Sequence, residues 1–218
     1  KVHLLSILQQ NNIDPYDVVE EYMNQLEKSN FEQLQHDLWK NSGSLYCGNL
    51  YAKYIEDQNK RCPVWAFLEM ISFGQYLYFY KYCADILQKT EITERLYLMY
   101  TVKSLRNACA HNNCIINDIN STHNKRINAD LQRECAKFIK SPSSRRRHLR
   151  HISTYQILTT MYAHQRICIS TGVHNHICGE LDELKKRFFR DNDYRLHDNI
   201  KATFNVFIRA IDTWFHIR

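Results

Sequence analysis

Apolar residues return every three or four positions along most of the chain, the spacing of helices that bury one face. In IDPYDVVEEYMNQL, Asp14 is placed to cap a helix and Pro15 fits its first position. A second short helix follows Ser29, with Phe31, Leu34 and Leu38 on one side. NSGS at 41–44 breaks the chain, and 45–58 reads as helix again. CPVWAFLEMISFGQYLYFYKYCADIL, opened by Pro63, is apolar nearly all round and predicts one central, buried helix. Gly74 in its middle predicts a close approach of a neighbour. From Glu91 to His111, the residues Ile92, Leu96, Met99, Val102, Leu105 and Cys109 form a clean core stripe.

Beyond that helix, 117–128 is polar and Asn-rich and reads as a loop. A basic helix follows, and SPSSRRR then reads as a turn carrying a charge run. Residues 153–169 are helical in pattern, while STGVHNHICGEL reads as a turn-rich connector. A short charged helix at 181–189 and an amphipathic one from about Asp198 complete the chain. The apolar face of the last comprises Ile200, Phe204, Phe207, Ile208, Ile211 and Phe215. The expected fold is all-α, a helical bundle with additional C-terminal helices. It is read as a single domain over 1–218, with a motif region at about 45–118, a basic segment at 125–151 and C-terminal helices at 153–217.

Composition agrees with this pattern. Five Gly and three Pro among 218 residues, with 44% hydrophobic content, favour helices around a sizeable core over a sandwich or barrel. Apolar stretches are interrupted well before the roughly 20 residues of a membrane span, and there is no signal peptide or lipidation motif. A chain that begins with Lys rather than Met implies that its natural start is missing. The eight cysteines form no C-x-x-C pair and mostly lie in helical patterns. They are expected to be free thiols, small buried hydrophobes of a cytoplasmic protein.

The net charge of +6 is modest, but it is unevenly placed. Between Lys125 and His151, nine Lys and Arg face only Asp130 and Glu134, a local net of +7. Lys125, Arg126, Arg145, Arg146, Arg147 and Arg150 are the candidate residues for docking a polyanion such as RNA. A solvated loop and helix face is the equal alternative.

One short stretch, RNACAHNN at 106–113, sets an arginine five positions before a histidine. With 15 Arg and 11 His, composition alone predicts about one such pair, and the chain has two, Arg106/His111 and Arg146/His151. Spacing therefore decides nothing, and context must. Arg146/His151 lies in a charge-dense stretch without an apolar stripe and reads as coincidence. Arg106/His111 ends a helix anchored by its stripe. There Lys103, Asn107 and His111, four apart, line one polar edge, and the Arg106 side chain can swing to it. The set suits a phosphodiester: a guanidinium grips phosphate oxygens with two parallel bonds, and an imidazole moves a proton near neutral pH. The alternative is a helix end closed by Asn112 or Asn113, with His111 near the last carbonyls.

Taken together, PVWAFLEMISFGQY and LRNACAHNNCIIND resemble the Abi-like (abortive infection, AbiD/AbiF-type) family of prokaryotic defence proteins, within the HEPN superfamily. The matching residues are Trp65, Glu69, Ser72-Phe73-Gly74, Arg106-Asn107, Ala110-His111 and Asn117. The resemblance runs from about Tyr51 to Asn117; the C-terminal half is less diagnostic, and the N-terminal part offers no matched feature. It implies a HEPN-type bundle and a metal-independent endoribonuclease needing no cofactor. Arg106 and His111 would drive attack of a ribose 2′-hydroxyl on the neighbouring phosphate, with Asn107 beside them. It also implies a homodimer, since one imidazole does not readily serve as both base and acid. The setting implied is a phage-defence or toxin system in the cytoplasm, with RNA as substrate and an antitoxin as a conceivable partner.

Glu69 and Lys103 are expected to support the site. A carboxylate on so apolar a helix needs a partner, and Arg106 is the expected one; pairing with Lys81 or Lys103, or simple exposure on the helix's one wet edge, are the alternatives. Tyr76, Tyr78, Tyr80 and Tyr82 read as core or interface aromatics, one or two of which could stack bases. His174, His176 and Cys178 are metal-capable but lack a fourth ligand and read as loop residues, so no metal is expected. Two rival functions stand beside the nuclease: a non-catalytic module holding a structured noncoding RNA, and a protein-interaction domain in which His111 only closes a helix.

Overall fold

The computed structural model describes residues 1–57, 60–117, 119–124, 126–190, 194 and 197–218. The fold is all-α: among the described residues there are helices and one isolated bridge, Thr122 with His151, but no strand. It clusters into two compact units, Lys1–Leu96 and Tyr97–Arg218.

The first unit holds α1 (Val2–Gln10), α2 (Asp17–Asn24), α3 (Lys28–Trp39), α4 (Gly48–Tyr51, continued by a π-turn over Ala52–Glu56), α5 (Val64–Met70) and α6 (Phe73–Leu87). The α7 helix, Thr90–Ala110, begins here and runs past the unit boundary. Asp14 Oδ1 accepts from the N–H groups of Tyr16 and Asp17, both at 2.8 Å, so it caps the chain entering α2. The core is aromatic at its centre. Phe67 and Phe79 are fully buried, with ring centroids 5.2 Å apart, and Tyr22 meets Phe79 edge-on at 5.1 Å.

The long apolar segment is two helices rather than one. Ile71 turns extended, and Ser72 caps α6 by accepting from the Gln75 N–H at 3.3 Å. Ser72 Oγ also donates to Asp37 Oδ2 at 3.0 Å, tying the break to α3. The signal was present as the Ser-x-x-Gln capping pattern, outweighed by the apolar run. Gly74 consequently sits in the first turn of α6, not in mid-helix. The segment also has a wet face: Trp65, Glu69 and Tyr78 are exposed. Ser72→Ala is expected to remove about 0.5–2 kcal/mol of stability, read as a lowered urea midpoint with an unchanged slope.

The second unit holds α8 (Ala129–Cys135), α9 (Pro142–Arg150), α10 (Ile152–Ile167), α11 (Thr171–Phe188) and α12 (Asp198–Trp214), together with the C-terminal part of α7. Leu131, Cys135, Leu149, Leu158, Phe207 and Ile211 lie at its core, closed by Trp214 edge-on to Phe138 at 5.1 Å.

Two elements differ from what the sequence pattern predicts. SPSSRRR is a helix: Ser141 accepts from the Ser144 N–H and Pro142 takes the first position. STGVHNHICGEL belongs to α11, capped by Ser170 through the Val173 N–H, and the charged stretch after it is that same helix. Gly172 and Gly179 meet nothing that a Cβ would disturb, so they interrupt nothing. In both places a Ser that caps a helix has the look of a turn residue.

The helix explains His174. It and Cys178, one turn apart, face the core, while His176 faces solvent. His174 Nε2–H donates to the carbonyl of His216 at 2.9 Å, and its Nδ1 shares a hydrogen bond with His164 Nε2 at 3.3 Å. The two rings stack, with centroids 5.5 Å apart, and Phe215 stacks on both. Among the described residues, no three His, Cys, Asp or Glu are gathered as metal ligands.

Two histidines of this unit resist protonation. Burial, then His174, holds the His164 pKa below its ordinary 6.5. Burial, then Arg147 and His151, does the same for His148. The unfolded chain protonates these histidines at the ordinary value and the folded chain resists. Their stabilisation is therefore complete above about pH 6.5 and lost as pH falls below it. Thermal melts at pH 7.5 and 5.5 are expected to show a lower Tm at the acid pH, a difference that narrows in a His148→Gln variant.

All eight cysteines are free thiols. Cys62, Cys83, Cys135 and Cys178 are buried, but Cys109 and Cys114 are exposed, and Cys109 lies off the core stripe to which periodicity assigned it. Burial pushes the thiols of Cys62, Cys83 and Cys135 up to about 12. Iodoacetamide is expected to label Cys109 and Cys114 first in the native protein, and the buried thiols only on unfolding.

Candidate functional site

The α7 helix keeps its hydrogen bonding to its last turn. The His111 N–H still donates to the Asn107 carbonyl at 3.1 Å. Asn112 then takes φ 54°, the left-handed conformation that Asn tolerates. Its N–H donates to the Cys109 carbonyl at 3.0 Å, and the Asn113 N–H to that of Ala108 at 2.9 Å. This pair of bonds is the Schellman closure of a helix. Backbone groups thus terminate α7, and the His111 imidazole is not used to do so. It is exposed and makes no hydrogen bond with the described residues.

Arg106 is exposed, and its Nη1 donates to Asn107 Oδ1 at 3.3 Å. That bond draws the guanidinium toward the edge on which Lys103, Asn107 and His111 follow one another at four-residue spacing. Within its own unit, and among the described residues, Arg106 has no carboxylate partner. Glu69 pairs instead with Lys1 at 3.4 Å, with more than half its side chain exposed. The burial that would have demanded Arg106 is absent, because α5 shows that edge to water.

The basic segment divides by role. Arg145 Nη1 donates to the Ile139 carbonyl at 2.8 Å and fastens α9 to the chain before it. Arg146 and Arg150, one turn apart on α9, line a recess of about 390 Å³ with Arg126 and Gln132. Arg147 is exposed but lies outside that recess. Lys125 lies outside the described residues. His151, the partner of Arg146 in the second Arg-x4-His pair, sits at the α9–α10 junction and bridges Thr122. That stretch is better packed than its charge implied, since His148 and Leu149 are buried.

A larger recess of about 670 Å³ opens beside α7. Tyr97, Tyr100, Thr101 and Ser104 form one wall, and His123, Arg126, Tyr155 and Gln156 are among the residues opposite. Of the α6 tyrosines read as core or interface aromatics, Tyr76, Tyr80 and Tyr82 are buried and Tyr78 is exposed, so the exposed aromatics near the motif come from elsewhere. The signal for the others was available: Tyr97, Tyr100 and Ser104 repeat at helical spacing just off the core stripe.

The chain belongs to the Abi-like protein family, whose sequence pattern matches residues 3–117. The match reaches back to α1, so the N-terminal helices lie within the family region, and it ends at Asn117 as the motifs indicated. No curated protein and no solved structure matches the chain. No helix among the described residues is long and apolar enough to cross a membrane.

Proposed function

We propose that this protein is a metal-independent endoribonuclease of the HEPN type acting in an abortive-infection or toxin system, with Arg106 and His111 as its catalytic residues. One observation carries the reading. The imidazole and guanidinium stand in solvent at the end of α7, and the turn beneath them is closed by backbone bonds alone. A helix end that needs no side chain to close it leaves both groups available to a substrate. Membership in the Abi-like family supports the defence setting.

In the proposed step, the His111 imidazole takes the proton of a ribose 2′-hydroxyl as that oxygen attacks the adjacent phosphorus. The P–O5′ bond breaks, and the leaving oxygen receives a proton. Arg106 binds the non-bridging oxygens, where negative charge accumulates, and Asn107 holds the guanidinium. The products carry a 2′,3′-cyclic phosphate and a 5′-hydroxyl. The 2′-hydroxyl requirement restricts cleavage to RNA. A second copy of the chain would bring its own motif as the complementary acid, making the site composite in a homodimer. Lys103 adds positive charge along the same edge, while Glu69 serves the first unit through Lys1.

Incubating the purified chain with total RNA, with and without EDTA, tests this reading. Equal fragmentation in both is the expected result. Intact RNA in both, with tight binding, would instead favour a module that holds a structured RNA.

A further inference from the structure

The two recesses of the second unit share His123, Arg126 and Ile127 in their walls and so adjoin, forming a groove with a tyrosine-lined part and a cationic part. The larger part, about 670 Å³, falls within the roughly 300–1,000 Å³ usual for organic ligands. No Asp or Glu is among the residues lining either part. The cationic part carries Arg126, Arg146 and Arg150, a setting for phosphate oxygens. The aromatic part offers Tyr97 and Tyr100 from α7 and Tyr155 from α10.

The groove is held in shape before any ligand arrives. His123 Nε2–H donates to the Leu149 carbonyl at 3.0 Å, and the His123 backbone N–H to that of Arg150, also at 3.0 Å. The Ile152 N–H donates to the Ser121 carbonyl at 2.9 Å. The His123 ring lies 4.7 Å from that of Tyr155. Such fixing reduces the entropy lost on binding. The Gln156 amide, donor and acceptor at once, can pair with a base edge.

We propose that this groove is a nucleotide subsite for single-stranded RNA, seating one unstacked base among Tyr97, Tyr100 and Tyr155 with its phosphate on Arg126, Arg146 and Arg150. The proposal rests on the RNA reading above and extends it to a specificity site. Its position fits. Ser104 and His111 are seven residues apart, so they point the same way along α7, about 10 Å from each other. A strand seated here leads along the helix to His111.

The test measures binding of a fluorescein-labelled single-stranded oligoribonucleotide to the full chain carrying His111→Ala, which prevents turnover. Tyr97 is mostly exposed, so Tyr97→Ala leaves the fold intact, and Tyr155→Leu keeps apolar volume; melting curves check both. Each is expected to weaken binding roughly ten- to hundred-fold, while Tyr155→Phe, which keeps the ring, binds as before. An abasic oligomer of equal length is expected to bind weakly and to ignore the tyrosine changes. Arg126→Ala should lower the salt slope by about 0.7 for each phosphate it no longer neutralises. Unchanged affinity in both tyrosine variants, or equal losses on the abasic oligomer, would overturn the subsite. Saturation of the groove by AMP that the oligomer fails to displace would overturn its assignment to RNA. A chain that passes these binding tests yet, with His111 restored, cleaves no RNA would retain the subsite and lose the nuclease. Cleavage indifferent to the tyrosines would do the reverse.

Discussion

His111→Ala is expected to lower RNA cleavage by about 10²–10⁴-fold, the usual contribution of a positioned acid or base, while leaving the melting temperature unchanged. The reason for the second half is structural. The imidazole is exposed, makes no hydrogen bond with the described residues, and follows a helix whose end is closed by Asn112 and Asn113. A surface substitution of that kind changes stability by less than about 0.5 kcal/mol. Arg106→Ala should show a similar loss of rate with an equally intact fold. Arg106→Lys should recover little, because an ammonium keeps the charge but not the planar pair of donors. If His111 served only to close the helix, the pattern would invert, with stability falling and no activity to lose. Rates on a defined oligoribonucleotide, read beside thermal melts of the same preparations, separate the two.

The largest stability effect belongs to the first unit. Phe79→Ala is expected to cost about 3–5 kcal/mol, as large truncations in closed cores do. Phe79 is fully buried and lies within 5.2 Å of both the Tyr22 and Phe67 rings. Those neighbours come from α2 and α5, so the cavity would open where three helices meet and collapse poorly. Against a typical total of about 5–15 kcal/mol, one such change takes much of the margin. A urea titration followed by far-ultraviolet circular dichroism would show it as a midpoint shift. Phe79→Leu, which refills part of the space, should recover part of the loss.

Helical periodicity carried most of the fold. Of the predicted stripe on α7, Ile92, Leu96 and Leu105 are buried, Met99 and Val102 are half-buried and Cys109 is exposed, while the face of α12 is the one its apolar residues predicted. What periodicity could not show was where helices stop. Ser72, Ser141 and Ser170 each accept a hydrogen bond from a backbone N–H three residues on. In all three, the hydroxyl's local bond decided the element, against an apolar run at the first and a polar one at the others. The same blindness hid the burial of His174, because a connector has no inside face and a helix does.

The candidate site was legible in part for a related reason. Sequence could place Arg106, Asn107 and His111 on one exposed helix end, since that follows from spacing. It offered exposure of Glu69 on a wet edge as an alternative, but the Lys1 partner could not be read from spacing, because it depends on how α1 and α5 pack. Nor could it find the groove of Tyr97, Tyr155 and Arg126, whose residues lie far apart in the chain and meet only once α7, α9 and α10 have packed.

The most direct measurement identifies the termini that the wild-type chain leaves on a defined oligoribonucleotide in the presence of EDTA. The account predicts a 2′,3′-cyclic phosphate and a 5′-hydroxyl, formed with His111 present and absent with alanine in its place. A 5′-phosphate, or fragments that persist unchanged in the His111→Ala variant, would contradict it.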